Sequence, residues 1–235
     1  MKDIAEMELN FDRFRPKLKD DGNTWKENGN MKASGILYDL GSHMIDQILH
    51  LFGTPLSVSA RLMKQRDQTS IYDAFHLLLF YPSLHLSHSQ NSTISSSENL
   101  KDSLKVVSIK AGMLIANGRP RFGVYGKNGS FVKYGVDIQE SQLKNKMKPT
   151  EQGFGIEQPE LAGTLHYLDE VSGEMKIEKI ESEVGVYKEF FELLAKSILE
   201  GNQPPVLPQD SKNVIRVIEL AYQSHEESKI IPWNS

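Results

Sequence analysis

Apolar residues recur along the first part of the chain with two different periods. Residues 4–14 alternate roughly between apolar and polar side chains, which is typical of a β-strand. Over residues 35–52 the apolar positions recur instead at three- and four-residue steps, which predicts a helix that ends at residues 53–55, Gly-Thr-Pro. The intervening residues 17–34 are polar, and they predict a loop with Trp25 as its apolar anchor.

The rest of the chain alternates between strand-like runs and helical stripes. The strand-like runs are residues 57–63, 74–81, 106–115, 121–125, 130–134, 163–168 and 174–180. An apolar stripe from Val186 to Ile198 then predicts one helix, and Asp210 or Ser211 is the predicted N-cap of a second. This order favours an α+β fold, with an open, mostly antiparallel β-sheet and helices packed on one face. Because no linker interrupts the pattern, we expect a single domain over residues 1–235.

One segment departs from this pattern. Residues 83–103 are rich in serine and low in complexity, which predicts a flexible insertion between two strands. The segment contains His85 and His88, but no third ligand follows at a spacing known for zinc sites. A solvated loop therefore explains these histidines better than a metal site.

Composition excludes several classes of function. The net charge is -4 and no stripe of Lys and Arg is interleaved with aromatic residues, so we expect no nucleic-acid partner. The apolar runs are too short to cross a bilayer, so we expect no membrane partner either. Cysteine is absent, which excludes disulfides, thiolate metal ligands and a cysteine nucleophile. The N-terminal residues contain no apolar run that could serve as a signal peptide, and we expect a cytoplasmic protein.

The residues that could carry chemistry lie on the polar side of the predicted helix 35–52. Asp39 and His43 are four residues apart and would face the same way, followed by Asp46, Gln47 and His50. A carboxylate beside an imidazole is suited to general acid–base catalysis, because it fixes the tautomer and raises the basicity of the ring. Two other interpretations stay open at this point. The pair is also common on solvated helices, and His43, Asp46 and His50 could bind a metal, although their spacing matches no zinc-hydrolase motif.

Gly41 lies between the two candidate residues. A glycine inside a helix costs about 1 kcal/mol relative to alanine, so it requires a packing reason or a close approach by another group. A cofactor ring or the backbone of a partner would be such a group.

The stretch from residue 35 to residue 47 reads Gly-Ile-Leu-Tyr-Asp-Leu-Gly-Ser-His-Met-Ile-Asp-Gln. It resembles the second-domain motif of the Gfo/Idh/MocA oxidoreductases, in which a glycine-rich turn is followed by Asp-x-Gly-x-His-x-x-Asp. Ala33 and Ser34 stand where many members have glycines. Other stretches resemble the family in the same order. They are residues 11–16, 51–55, 118–122, 129–135, 137–140 and 203–206, of which 137–140 resembles part of the family's sheet.

The resemblance implies roles for individual residues. His43 is expected to exchange a proton with a substrate hydroxyl, and Asp39 to orient the substrate or the histidine. Trp25 is a further candidate for substrate contact. The resemblance also implies that the sheet face away from the helices pairs with another subunit. We expect that face to include Phe122, Val124, Phe131 and Val132 in some alternation.

Members of this family carry a Rossmann domain before the part that this chain resembles. The present sequence contains no Gly-x-Gly-x-x-Gly, and residues 123–129 have glycines at a spacing that fits a hairpin. We therefore expect the chain alone to bind no cofactor, and NAD or NADP to be bound only when it is paired with a Rossmann domain, either fused to it or on a separate chain. The resemblance then implies the substrate-binding and oligomerisation domain of an NAD(P)-dependent sugar or polyol oxidoreductase, inactive without that partner. The alternative is a non-catalytic, self-associating interaction domain.

Overall fold

A nine-stranded sheet forms the centre of the computed structural model, which describes residues 4–18, 25–82 and 105–234. The strands follow the order β8-β7-β6-β5-β1-β4-β3-β2-β9, and β1 and β4 are its one parallel pair. This arrangement confirms the predicted α+β fold with an open, mostly antiparallel sheet. The strands are β1 Ile4–Asn10, β2 Ser57–Met63, β3 Ala74–Tyr81, β4 Lys105–Gly112, β5 Phe122–Gly126, β6 Gly129–Lys133, β7 Gly163–Leu168, β8 Met175–Ile180 and β9 Ile231–Pro232.

Four α-helices accompany the sheet in the described part of the chain. They are α1 Ser42–Phe52, α2 Gln139–Lys144, α3 Tyr187–Glu200 and α4 Pro208–Glu227. A π-helical turn, Leu37–Gly41, leads directly into α1, so the predicted helix 35–52 exists but begins with a wider turn. None of the helices within the described ranges is long and apolar enough to span a bilayer.

The hydrophobic core lies between one face of the sheet and the helices α1 and α4. Alternate residues of β2 and β3 point into it, because side chains on a strand alternate between the two faces. The helices contribute the stripes that the three- and four-residue steps predicted. The residues of these two helices with less than 1% exposure are Met44, Ile45, Ile48, Val217, Ile218, Leu220 and Ala221.

The register of the strands corrects the expected composition of the open face of the sheet. Phe122 pairs with Leu9, and Val124 pairs with both Met7 and Phe131. Since Met7 and Leu9 belong to the core, Phe122, Val124 and Phe131 lie on the helix side. Of the four expected residues, Val132 alone faces away from the core, because its neighbours along β6 face inward. The alternation of residues along a strand shows which side chains share a face of the sheet, but it does not show which face the helices cover.

Three details of the secondary structure also differ from expectation. Helix α4 begins at Pro208 with Leu207 at its N-cap, so neither Asp210 nor Ser211 is the cap. Asp210 lies instead in the first turn, where its carboxylate accepts a hydrogen bond from the Leu207 N–H at 3.0 Å. Residues 137–140, expected in the sheet, form the entry to α2, because the Asp137 carboxylate accepts a hydrogen bond from the Gln139 N–H at 2.8 Å. The insertion at 83–103, with His85 and His88, lies outside the described residues.

Helix α3 forms where its apolar stripe predicted it but contributes no side chain to the core. Phe191 is 64% exposed and Ile198 is 74% exposed. The helix is attached at its first residue, where the Tyr187 N–H donates a hydrogen bond to the buried Gln139 side chain at 2.8 Å. No described residue covers the apolar stripe of α3, which is therefore exposed in the part of the chain that the structure describes.

A fully buried ion pair holds the loops at one end of the sheet. Arg66 and Asp73, in the connection between β2 and β3, meet at 2.9 Å, and both side chains are 0% exposed. The Asp73 carboxylate also accepts hydrogen bonds from the Gln65 and Arg66 N–H groups. The guanidinium reaches Glu27 at 3.1 Å, on the short 3-10 helix Trp25–Glu27. This network ties the 25–27 segment to the sheet.

Replacing Asp73 with alanine should lower the free energy of unfolding by about 3–5 kcal/mol, because the Arg66 charge would be left buried without its partner. Urea denaturation followed by circular dichroism measures this difference. The matched control is Glu192→Ala, which removes a carboxylate from an ion pair with Lys188 that is more than half exposed on both sides. The control should leave the midpoint almost unchanged. Equal effects of the two substitutions would contradict the anchoring role of the buried pair.

Candidate functional site

A groove with a volume of about 550 Å³ runs between the start of α1 and the strands β1, β5 and β6. Both candidate residues from the sequence, Asp39 and His43, line it. The lining residues are Phe11, Arg13, Arg15, Lys26, Asp39, Leu40, His43, Gln47, Met113, Arg121, Phe122, Lys133, Gly135, Val136, Asp137, Glu140, Lys144 and Tyr187.

The π-helical turn brings Asp39 to this groove. The Ser42 N–H donates to the carbonyl of Leu37, five residues back, instead of the usual four. A π-turn of this kind is common at functional sites, because it changes the direction of side chains within a helix. The simple four-residue geometry assumed for Asp39 and His43 therefore does not hold at this position.

Gly41 is required by packing. A Cβ atom at this residue would lie 2.7 Å from Leu37 Cδ1 and 3.2 Å from Phe75 Cζ. Both of these side chains are 0% exposed and belong to the core. Of the two reasons that the sequence left open for this glycine, packing is the one that applies, because Gly41 faces the interior.

Asp39 pairs with a residue that the sequence interpretation missed. Its carboxylate forms an ion pair with the ammonium group of Lys26, and the Asp39 side chain is 20% exposed. Among the described residues, no hydrogen bond joins Asp39 to His43. Nothing in the spacing of the sequence indicates Lys26, because it lies in a polar loop thirteen residues before Asp39. Its neighbour Glu27, held by Arg66, fixes this loop against the groove.

The polar side of α1 divides between two different grooves. His43 and Gln47 line the groove with Asp39, whereas Asp46 and His50 line a separate one with Pro205 and Val206. Within the described ranges, no group of three or more histidine, aspartate or glutamate side chains could hold a metal ion. The metal interpretation through His43, Asp46 and His50 therefore has no support in this geometry.

Trp25 lies next to this groove without lining it. Its side chain is 47% exposed, and the Lys26 ammonium lies 5.6 Å from the centroid of its ring. This is a cation–π contact between two consecutive residues of the loop. A role for Trp25 in substrate binding stays a prediction.

The sequence interpretation also missed Arg121, on the opposite wall of the groove. Arg121 is 7% exposed, and its guanidinium donates to the Asn10 carbonyl at 3.2 Å and to the Gln47 side chain at 3.3 Å. Burial, and the nearby charge of Arg13, lower the pKa of Arg121 to about 10. An arginine one residue before a strand is not distinctive in a sequence, so only the fold reveals that it reaches α1.

Substituting Gly41 with valine should lower the free energy of unfolding by about 1–3 kcal/mol, the usual cost of overpacking a well-packed core. The added atoms would press on Leu37 and Phe75 and displace the turn that carries Asp39. Thermal denaturation measures the effect. Gly118→Val is the matched control, since a Cβ there meets nothing within 4 Å. An unchanged stability for Gly41→Val would show that the turn does not depend on this contact.

Comparison with known proteins assigns nearly the whole chain to one family. Residues 1–233 match the family described as the oxidoreductase family, C-terminal alpha/beta domain, of the Gfo/Idh/MocA type. The chain is 36% identical over 231 residues to scyllo-inositol 2-dehydrogenase (NADP(+)) IolW of Bacillus subtilis, which covers 98% of this chain and 57% of the relative. It is 31% identical over 223 residues to the uncharacterised oxidoreductase YdgJ of Escherichia coli, covering 94% of this chain and 56% of the relative.

A solved structure agrees with these relatives. The crystal structure of an oxidoreductase from Bacillus cereus superposes with a TM-score of 0.75 at 26% identity, over 98% of this chain and 59% of the other. The chain thus spans little more than half the length of the proteins that it matches. The sequence, the fold and the relatives agree, and the chain belongs to the Gfo/Idh/MocA oxidoreductase family, within which it corresponds to the C-terminal α/β domain.

Proposed function

We propose that this chain forms the substrate side of an NAD(P)-dependent dehydrogenase that acts on a sugar or polyol. The observation that carries the proposal is the groove in which His43 faces solvent beside the Asp39–Lys26 ion pair. IolW, at 36% identity, is by name a dehydrogenase of an inositol, which is a polyol. A hydroxyl-bearing substrate in this groove would lie against a wall that carries both an imidazole and a charged pair.

The glycine-containing hairpin of the described residues does not fit the phosphates of a dinucleotide. The glycine-containing segment of 123–129 is the hairpin between β5 and β6, as its spacing predicted. A Cβ at Gly129 would lie 2.4 Å from the His166 carbonyl, so this glycine permits close strand packing. We therefore assign nucleotide binding to a Rossmann module that would complete the site. When bound there, the nicotinamide supplies the hydride acceptor.

On this proposal, His43 moves the proton of the reaction. Its side chain is exposed on the first turn of α1, and no described residue forms a hydrogen bond with it. An imidazole in that position can accept the proton of a substrate hydroxyl as the carbon is oxidised. Asp39 positions the substrate through its free carboxylate oxygen, while the other oxygen is held by Lys26. These roles follow the ones that the family resemblance implies.

Reconstitution tests the catalytic roles. The chain fused behind the Rossmann module of a family member should oxidise a polyol, with scyllo-inositol as the first substrate to try. In that assembly His43→Ala should lower turnover by about 10²–10⁴, the range for removing a positioned general acid or base. Asp39→Ala should lower it less, because Asp39 only orients the substrate. Steady-state absorbance of the reduced nicotinamide measures both.

His50→Ala is the matched control for this series. It removes the same kind of side chain from the same helix, but His50 lines the groove on the other side of α1. We expect its turnover to match that of the unsubstituted assembly. Should all three variants behave alike, or should His43→Ala keep full turnover, the pair would be structural and the chain better described as an interaction domain.

The second part of the proposal is that the chain self-associates through the open face of its sheet. Self-association is also expected if the chain is a non-catalytic interaction domain. Leu78, Phe80 and Val106 form an incompletely buried apolar patch there, since Phe80 pairs with Val106 in the ladder. Sheets with one covered face commonly bury the other against a partner when it carries such a patch. The exposed stripe of α3 is the competing surface.

Light scattering at tens of micromolar should show a dimer or larger species, since a standard-sized specific interface stays formed at that concentration. Phe80→Glu should convert it to a monomer by placing a charge in the apolar patch. Phe191→Glu on α3 is the matched control, because it makes the same change on the other exposed apolar surface. Dissociation by Phe191→Glu alone would move the interface to α3. A monomer before any substitution would contradict self-association.

A further inference from the structure

We propose that the substrate of this groove carries an oxyanion, a carboxylate or a phosphate, which Arg13 and Arg121 bind. The inference rests on the proposed function and narrows the class of sugar or polyol to an acidic one. Three observations support it: the balance of charge along the groove, the arrangement of these arginines around one aromatic ring, and the distance of Arg121 from the proton-transferring side of α1.

The groove is cationic in a protein that is acidic as a whole. Six lysine or arginine side chains line it against three carboxylates, whereas the complete chain has a net charge of -4. Each of the three lysines is already paired with a carboxylate. The pairs are Lys26 with Asp39, Lys133 with Glu157 at 2.6 Å, and Lys144 with Glu140 at 2.5 Å. The excess positive charge therefore belongs to the three arginines Arg13, Arg15 and Arg121.

Two of these arginines share an aromatic ring. The guanidinium carbon of Arg13 lies 4.7 Å from the centroid of the Phe11 ring, and that of Arg121 lies 4.4 Å from it. Neither forms an ion pair with a carboxylate among the described residues. The adjacent carboxylate of Asp12 is held by Arg119, at 2.6 Å. Two like charges are thus kept close together by cation–π contacts, without a counter-ion from the described part of the chain.

This arrangement is costly without a bound anion. The pKa of Arg121 is lowered first by burial and then by the charge of Arg13, as expected of two guanidinium groups that contact the same ring. Asp137 and Glu140 are the other carboxylates of the groove: Asp137 accepts hydrogen bonds from Gln139, and the pKa of Glu140 is lowered mainly by Lys144 and only slightly by Arg13 and His43. An oxyanion between the arginines would remove the repulsion. Guanidinium groups bind carboxylate and phosphate through paired N–H donors, which a neutral hydroxyl cannot match.

The position of Arg121 assigns the anion to the substrate. Its guanidinium donates to Gln47 at 3.3 Å, and Gln47 follows His43 by four residues on α1. One helical turn corresponds to about 5.4 Å along the axis. A group held by Arg121 therefore lies about one turn from the imidazole that would take the proton. That separation suits two substituents of a single sugar-sized molecule.

Isothermal titration of the chain with four probes tests the inference. D-gluconate carries a carboxylate, glucose 6-phosphate carries a phosphate, scyllo-inositol is a neutral polyol, and nicotinamide mononucleotide represents a cofactor phosphate. At least one of the two sugar anions should bind about tenfold more tightly than scyllo-inositol, the fold-change expected of one charge-assisted hydrogen bond. Added salt should weaken the binding of that anion and leave scyllo-inositol unaffected.

Arg13→Gln should remove this preference, lowering the affinity for the anion about tenfold while the affinity for scyllo-inositol stays the same. It is the primary variant because Arg121 is buried and its replacement could prevent folding, so Arg121→Lys serves as the second variant and circular dichroism monitors both. Arg61→Gln is the matched control. It removes the same charge from an exposed residue of β2 that contacts Ser228, outside the groove.

The outcomes separate this inference from the proposed function. If scyllo-inositol binds as tightly as both sugar anions, the proposal of an oxyanion is overturned and the groove is a site for a neutral polyol. Tight binding of nicotinamide mononucleotide alone would assign the arginines to the cofactor and overturn the inference too. The inference also fails if none of the probes binds at millimolar concentration, or if Arg61→Gln weakens the binding of the anion as much as Arg13→Gln does. The proposed dehydrogenase activity would be refuted separately, by a lack of turnover in the reconstituted assembly with scyllo-inositol and with both sugar anions.

Discussion

The buried pair of Arg66 and Asp73 is the interaction on which the groove depends. Removing two charges from water is costly, and several further bonds offset part of that cost here, although Arg66 Nη2 is buried without a partner among the described residues. Asp73 accepts from two backbone N–H groups, while the guanidinium reaches Glu27 and the carbonyls of Arg15 and Lys17. One side chain therefore joins the β2–β3 connection, the 25–27 segment and the exit from β1. An apolar replacement could be as stable, but it could not hold three loops in register.

Two of those loops carry charges that line the groove. The 25–27 segment presents Lys26 to Asp39, and the exit from β1 presents Arg13 and Arg15. The other wall is built differently, on the rigid start of α1, where Gly41 lets a π-turn pack against Phe75. Loops fixed by a buried ion pair thus face a helix fixed by core packing. Both walls are held by groups remote from the solvent, so the polar groups between them need not contribute to stability.

The hydrophobic periods predicted most of the fold, because burial decides where apolar residues recur. The bounds of β2, β3 and β7 agree with the strand-like runs to the residue. The site was only partly predictable. Asp39 and His43 were found because they belong to one helix and a recognisable motif, so a local pattern contains both. Lys26 and Arg121 reach the groove only through tertiary contacts, and neither the π-turn nor the covered face of the sheet leaves a period in the sequence.

Helix α3 connects the candidate site to an exposed apolar surface. Its first residue, Tyr187, lines the groove, and its apolar stripe extends outward from that rim without entering the core. Burying large apolar side chains is worth about 1.5–3 kcal/mol each, so a stripe with Phe191 and Ile198 exposed gains stability when another surface covers it. On our proposal a Rossmann module holds the dinucleotide, so the nicotinamide must arrive at His43 from outside this chain. Because α3 begins at the rim of the groove, a module that covered its apolar stripe would also lie beside the site.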